Sequence, residues 1–258
     1  MKEIKQHYKN LIIGFGKGGK TLALYLAKQG EEVALVERSE EMYGGTCINV
    51  ACIPTKSLIT NAAKNIPYGD AWKIKNELTA FLREKNFNNL NDQPFITIIN
   101  GTASFVSARE VKILPATAGA TTTVSAERIF INTGTEPFIP NIAGVKNSAR
   151  VFTSASLMEQ PALPEKLIII GGGFIGLEFA DMYARFGTSV TVLDQAPIFL
   201  PGEDRDIADE LYKILTEKEI GIRSGVAVQQ ITDTAEGVIV QYTTHNGNVN
   251  NLAASAVL

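Results

Sequence analysis

An α/β fold built around two copies of one parallel βαβ unit, with a small antiparallel β-meander between them, is predicted by three observations. The glycine pattern G-x-G-x-x-G occurs twice, at Gly14, Gly16 and Gly19 and again at Gly171, Gly173 and Gly176. Each copy follows a short apolar run, Leu11 to Ile13 or Leu167 to Ile170, and precedes a segment of helical apolar spacing. Each ends on a second apolar run closed by an acid, Glu37 or Asp194. The distance from first glycine to acid is the same in both (37 − 14 = 23 and 194 − 171 = 23). One such motif is a weak signal, but two with matching internal spacing reinforce each other.

In chain order, the first unit runs from Leu11 through the glycines into a helix over Thr21 to Lys28, stopped at Gly30, and then a strand over Glu32 to Val36. Strand, glycine turn, helix, strand and acid make a Rossmann-like dinucleotide-binding unit. The glycines permit a tight turn and let backbone N–H groups at the helix N-terminus face a pyrophosphate, while Glu37 accepts hydrogen bonds from a ribose. A helix over Ser57 to Asn65 comes next. Trp72 to Lys85 reads as an amphipathic helix whose stripe of Ile74, Leu78, Phe81 and Leu82 is expected to be core. From Phe95 to Ile131 five short β-rich runs (FITIIN, ASFV, VKIL, TTTV, RIFIN), broken by residues such as Gly101 and Gly119, predict the meander. Pro137 to Gly144 is a stiff connector. The second unit repeats the first, with the helix LEFADMYARF, Gly187 and the strand SVTVL before Asp194. A helix over Asp206 to Lys218 carries Ile207, Leu211, Ile214 and Leu215 at helical spacing. Strands follow at Val226 to Ile231 and Val238 to Tyr242, and the closing AASAVL reads as the start of another. The expected domains are residues 1–150 and 151–258, each incomplete, so the chain is expected to be a truncated fragment.

Composition narrows the function. Hydrophobic residues at 45% and charged residues at 20% are those of a soluble globular chain. A net charge of −3, with 24 basic residues scattered and no dense run, argues against nucleic acid or an anionic membrane as partner. No apolar run approaches a membrane span, and glycines interrupt the only apolar stretch near the N-terminus. Two cysteines are not a secreted disulfide framework, so a cytoplasmic setting is expected.

Those cysteines, Cys47 and Cys52, lie in Gly44 to Lys56, GGTCINVACIPTK, directly after the first unit. A zinc site needs four ligands in close pairs, and the only histidines, His7 and His245, have no partner spacing; no metal site is expected. Two buried, inert thiols are the plainer alternative. In a regular helix residues five apart rise about 7.5 Å, beyond what a disulfide spans comfortably, so a bridge here requires distorted backbone, for which Gly44, Gly45 and Pro54 make room. Such a bridge would be labile, and Lys56 would favour a thiolate.

GGTCINVACIPTK closely resembles the redox-active motif of the flavoprotein disulfide reductases, the class I pyridine nucleotide-disulfide oxidoreductases, which include dihydrolipoamide dehydrogenase, glutathione reductase and mercuric reductase. The resemblance runs along the whole chain. IIGFGKGGKTLA, MYGGTCIN, LREKNFNNL and EDRDIAD look most like the bacterial reactive-chlorine-resistance flavoproteins, a branch associated with copper(II) reduction. The resemblance implies FAD on the first unit, with Gly45, Thr46 and the turn of Thr133 and Gly134 among its contacts, and a nicotinamide dinucleotide on the second. By position, Cys52 would be the charge-transfer thiol against the flavin, Cys47 the interchange thiol facing the acceptor, and Lys56 a neighbour of flavin N5 paired with Glu178. Asp194 is followed by Gln195, Ala196 and Pro197, with no arginine for a 2′-phosphate, which predicts NADH over NADPH. Where the family has glycine this chain has Ala51, whose methyl group is expected to shift the fine geometry of the disulfide.

The family's later flavin motif and its dimerisation domain, which carries an acid–base histidine, would lie beyond Leu258. The complete protein is thus expected to be a homodimer, and this chain to hold FAD weakly and to be inactive alone. The expected activity is electron transfer from NADH through FAD to a Cys47–Cys52 disulfide and on to a metal ion such as Cu(II) or Hg(II), or to a small disulfide. The alternatives are a non-catalytic nucleotide-binding or redox-sensing module, or an enzyme of the dihydrolipoamide dehydrogenase type.

Overall fold

The computed structural model describes residues 2–116 and 119–258. The chain forms two compact units: one takes the residues up to Pro54 together with Lys75–Glu136, the other Thr55–Ile74 together with Pro137–Leu258.

The first unit opens with β1 (His7–Ile13), α1 (Lys17–Lys28) and β2 (Val33–Glu37). After a 3-10 turn at Glu40–Met42 come α2 (Thr46–Asn49), α3 (Cys52–Ala63) and α4 (Tyr68–Asn91), and the division between the units falls within α3 and α4. The strands β3 (Ile96–Ser107), β4 (Glu110–Pro115) and β5 (Thr122–Ile131) complete it. β1 to β5 close into a barrel in sequence order, with β5 returning to β1 in parallel register, Leu11 opposite Ile129. β2 lies parallel to both β1 and β3, and all five of its residues are buried. Its unbroken apolar run is what a strand covered on both faces requires. One side packs on α1 through Ile12, Leu26, Val33 and Leu35; the other joins Leu11, Ala34, Val36, Val111 and Val124.

The meander differs from expectation. Five runs are three strands, because β3 passes straight through Gly101 and β5 runs unbroken from Thr122 to Ile131, joining TTTV to RIFIN. Its first half pairs with β2 in parallel (Ile98 opposite Leu35), and its second half pairs with β4 antiparallel (Ala103 opposite Ile113). A Cβ at Gly101 would stand 2.5 Å from the carbonyl oxygen of Leu114, so this glycine serves a close backbone approach and not a break. The stripe on α4 also differs. Ile74, Leu78 and Phe81 are exposed, and the buried face is carried by Ala71, Lys75 and Thr79, each of the last two one residue round the helix from the expected position.

In the second unit, α5 (Ser154–Met158) precedes β6 (Lys166–Ile170), α6 (Phe174–Arg185) and β7 (Ser189–Leu193). α7 (Arg205–Glu217) and β8 (Gly221–Arg223) follow, then β9 (Val226–Asp233), β10 (Val238–Thr244), β11 (Val249–Ala254) and β12 (Ala256–Val257). The parallel sheet has the order β12-β6-β7-β8, and β11-β10-β9 form an antiparallel sheet. AASAVL therefore holds the end of β11 and all of β12, which lies parallel to β6 with Ala256 opposite Leu167. On α7 only half of the expected stripe is inside: Leu215 is buried and Leu211 packs beside it, while Ile207 and Ile214 are exposed. Leu167, Ile169, Leu177, Tyr183, Val190 and Val192 form the core between sheet and α6, extended by Leu58 and Tyr68. Among the described residues no helix is long and apolar enough to cross a membrane.

Candidate functional site: a nucleotide cradle beside a dithiol

The first glycine turn sits at the C-terminal end of β1. Gly14 has φ +108°, and a Cβ there would collide with the backbone carbonyl of Asn132. Asn132, just past β5, returns its side-chain amide to the Gly14 oxygen at 3.3 Å. α1 begins at Gly16 with no side chain capping it, which leaves first-turn N–H groups available to an anion. A cavity of about 310 Å³ opens here, lined by Gly14, Glu37, Thr133 and Gly134 together with Arg38, Thr102 and Glu136. The structure thus gathers four of the residues named from sequence around one hollow. Glu37 is buried and already engaged: its carboxylate accepts the backbone N–H of Phe15 at 2.9 Å and of Ser39 at 3.2 Å. Arg38 and Glu136 form an exposed ion pair at 2.6 Å among the lining residues. A glycine cradle, an uncapped helix N-terminus and a buried acid suit the phosphates and ribose of a dinucleotide.

The cysteine segment lies against this cradle. A Cβ at Gly45 would strike the Cα of Gly16, so the two backbones touch, and Gly45 is the residue at which α2 begins. Cys47 lies within α2, and Cys52 is the first residue of α3. The distortion expected between them is real but sits at Val50 and Ala51, where one helix ends (Val50 φ −137°) and the next starts. Pro54 does not cause it. It occupies the first turn of α3, where a missing N–H costs nothing. Ala51 is not among the residues with positive φ, so its backbone accepts a side chain without strain.

Both cysteines are thiols, Cys47 half-buried and Cys52 exposed. A hydrogen bond to Cys52, then burial, then the Cys52 charge hold the Cys47 thiol above the usual range, and Lys20 and Lys17 pull it the other way. Lys20 and Lys17 of the glycine helix act on Cys47, and Lys56 forms the expected ion pair with Glu178 inside the second unit.

Three further residues hold the segment. Asn49 is buried and donates to the carbonyls of Tyr43 and Gly45, both at 3.0 Å. Arg83 of α4 donates to Asn49 Oδ1 at 3.0 Å and pairs with Glu41. Tyr43 stacks on Phe87 at 4.8 Å and donates to Asn100 at 2.7 Å, and burial pushes its phenol up to about 12. The sequence signal for Lys17 and Lys20 was their interleaving with the glycines; α4 carried none, because its stripe resembled ordinary core.

In the second unit Gly171 has φ +109° and α6 starts at Gly173, again without a side-chain cap. A Cβ at Gly176 would meet the Gly171 carbonyl, as one at Gly19 would meet that of Gly14. Asp194 accepts the Ala196 N–H at 3.3 Å and packs against Gly172. Among the described residues no cluster of three or more His, Cys, Asp or Glu is placed to hold a metal.

The family described as pyridine nucleotide-disulphide oxidoreductase matches residues 8–258. A probable pyridine nucleotide-disulfide oxidoreductase, RclA of Escherichia coli (strain K12), is 46% identical over 225 residues, which is 87% of this chain and 51% of that protein. A dihydrolipoyl dehydrogenase of Chlamydia muridarum is 31% identical over 93% of this chain and 53% of its own length. A solved structure, the Cu(II) complex of the HOCl-induced flavoprotein disulfide reductase RclA from Escherichia coli, superposes with a TM-score of 0.93 at 43% identity, covering 98% of this chain and 56% of that one. The chain spans about half the length of the curated relatives it matches. On these grounds the chain belongs to the pyridine nucleotide-disulphide oxidoreductase family.

Proposed function

We propose that this chain is the electron-entry portion of a flavin-dependent disulfide reductase, with residues 1–150 serving FAD and 151–258 serving NADH. The observation that carries the reading is the backbone contact of Gly45 with Gly16, which sets a hydrogen-bonded pair of thiols directly beside a nucleotide cradle. When bound, FAD supplies a two-electron relay between a nicotinamide and a dithiol. Gly14, Gly16, Gly19, Glu37, Gly45, Thr46, Thr133 and Gly134 would hold it, and Gly171, Gly173, Gly176 and Asp194 would hold the dinucleotide. Cys52 would be the inner, charge-transfer thiol and Cys47 the outer one, and Lys56, paired with Glu178, would serve as a neighbour of the flavin. Oxidation of the dithiol forms the Cys47–Cys52 bond, releases two protons and passes two electrons, both to one Hg(II) or one small disulfide, or one to each of two Cu(II) ions reduced to Cu(I).

The acceptor is a metal ion, Cu(II) or Hg(II), or a small disulfide. A relative solved as a Cu(II) complex supports the metal, as does a mercuric reductase of Lysinibacillus sphaericus 29% identical over 95% of this chain. NADH is favoured because Asp194 is followed by no basic side chain, and the nearby Arg223 is turned onto the hydroxyl and ring of Tyr242. The complete protein is a cytoplasmic homodimer.

Anaerobic titration of the FAD-reconstituted chain with NADH, and in parallel with NADPH, tests this. A long-wavelength thiolate–flavin band should grow in, vanish in Cys52→Ser and survive in Cys47→Ser, with NADH the better reductant. Colourless protein with inert thiols would favour the redox-sensing or nucleotide-binding module instead.

A further inference from the structure

We propose that Lys20, held by Asn86, is a positioning residue for Cys47: it keeps a positive charge beside the outer thiol and sets how readily that thiol ionises near neutral pH. Lys20 stands on the first turn of α1, its N–H bonded to the Gly16 carbonyl at 3.0 Å, and Gly16 is the residue on which Gly45 of the cysteine segment rests. Its ammonium donates to the Oδ1 of Asn86 on α4. The Asn86 amide is itself oriented, since Nδ2 donates to the Leu82 carbonyl at 2.6 Å and leaves Oδ1 for the lysine. The carboxamide carbon lies 3.3 Å from where a Cβ of Gly44 would be. The lysine head is thereby tied at the level of the residues that lead into Cys47.

The anchor is a neutral amide and not a carboxylate, so the lysine keeps its whole charge for the thiol. The other groups that act on Cys47 are Cys52 and Lys17. On α4, Arg83 is engaged by Asn49 and by Glu41, the two charges offsetting each other. Lys20 itself is held below the usual lysine range, by burial first and by Lys17 second, with Cys47 opposing. Ionisation of Cys47 needs nothing further; its use in exchange rests on the reading of Cys47 as the outer thiol given above.

The test uses the chain in a Cys52→Ser background, where Cys47 is the sole thiol, and follows its alkylation by iodoacetamide against pH. The thiolate displaces iodide and a C–S bond forms, so the rate tracks the ionised fraction. Lys20→Met should raise the midpoint by about half a pH unit or more, and Lys20→Arg should restore it. Asn86→Asp, which pairs the lysine with a carboxylate, should raise it as well, and serves if Lys20→Met does not fold. Coincident midpoints in Lys20→Met and its parent, or an equal rise in Lys20→Arg, would overturn the proposal. A midpoint that moves while the flavin titration shows no thiolate band leaves this inference standing and removes the exchange reading.

Discussion

The two glycine turns have the same length and nearly the same backbone, φ +108° at Gly14 and +109° at Gly171, yet their surroundings differ. At Gly14 a Cβ would run into the Asn132 carbonyl, whereas at Gly171 it would meet nothing within 4 Å among the described residues. The third glycines, Gly19 and Gly176, are alike, each facing the carbonyl of the first. Close packing of helix on strand thus requires the third glycine in both units. The first glycine is required by its conformation in both, and in the first unit also by the chain leaving the barrel beside it. The second turn is open on the side of the Gly171 Cβ position among the described residues.

Substituting the first glycines tests this contrast most strongly. Gly14→Ala combines left-handed strain with overpacking and should cost about 4 kcal/mol, against about 2 kcal/mol for the strain alone in Gly171→Ala. Urea unfolding measures both, and equal costs would mean that Asn132 yields freely. The acids form a milder contrast. Glu37→Ala strands one buried and one half-buried backbone donor and should cost about 2 kcal/mol, while Asp194→Ala, losing one bond at 3.3 Å, should cost under about 1 kcal/mol by the same assay. The smallest effect is in acid. In the first unit Glu31, bonded to Lys9 first and then to Asn10, with Arg128 beside it, is held down to about 2. A carboxyl depressed in the folded state contributes stability that is complete above the ordinary value of 4.5 and is lost as pH falls from there toward 2. Glu31→Gln should flatten that part of the melting profile, less so at high salt.

Much of the architecture was legible because it repeats. Both βαβ units, their helices and their terminal acids lie where glycine spacing and apolar periodicity put them, since these are local rules of backbone conformation and burial. Two of the five meander runs became the single strand β3 because Gly101 looks the same in sequence whether it ends a strand or admits a neighbouring carbonyl, and two more became β5, which no glycine interrupts. The α4 stripe failed for a related reason: Ile74 and Leu78 are apolar at the right spacing, but the neighbours of the helix decided that Lys75 and Thr79 face inward.

The site divides along the same line. The two glycine turns, the dithiol and its place directly after the first βαβ unit were legible in the sequence, because contiguous residues carry them. Folding brought Lys17 and Lys20 to bear on Cys47 and set Arg83 and Asn86 of α4 to hold the segment in place. Those partners are 27 to 66 residues apart along the chain (47 − 20 = 27 for Lys20 to Cys47, 83 − 49 = 34 for Arg83 to Asn49, 86 − 20 = 66 for Asn86 to Lys20), and a charge acts across space regardless of that separation.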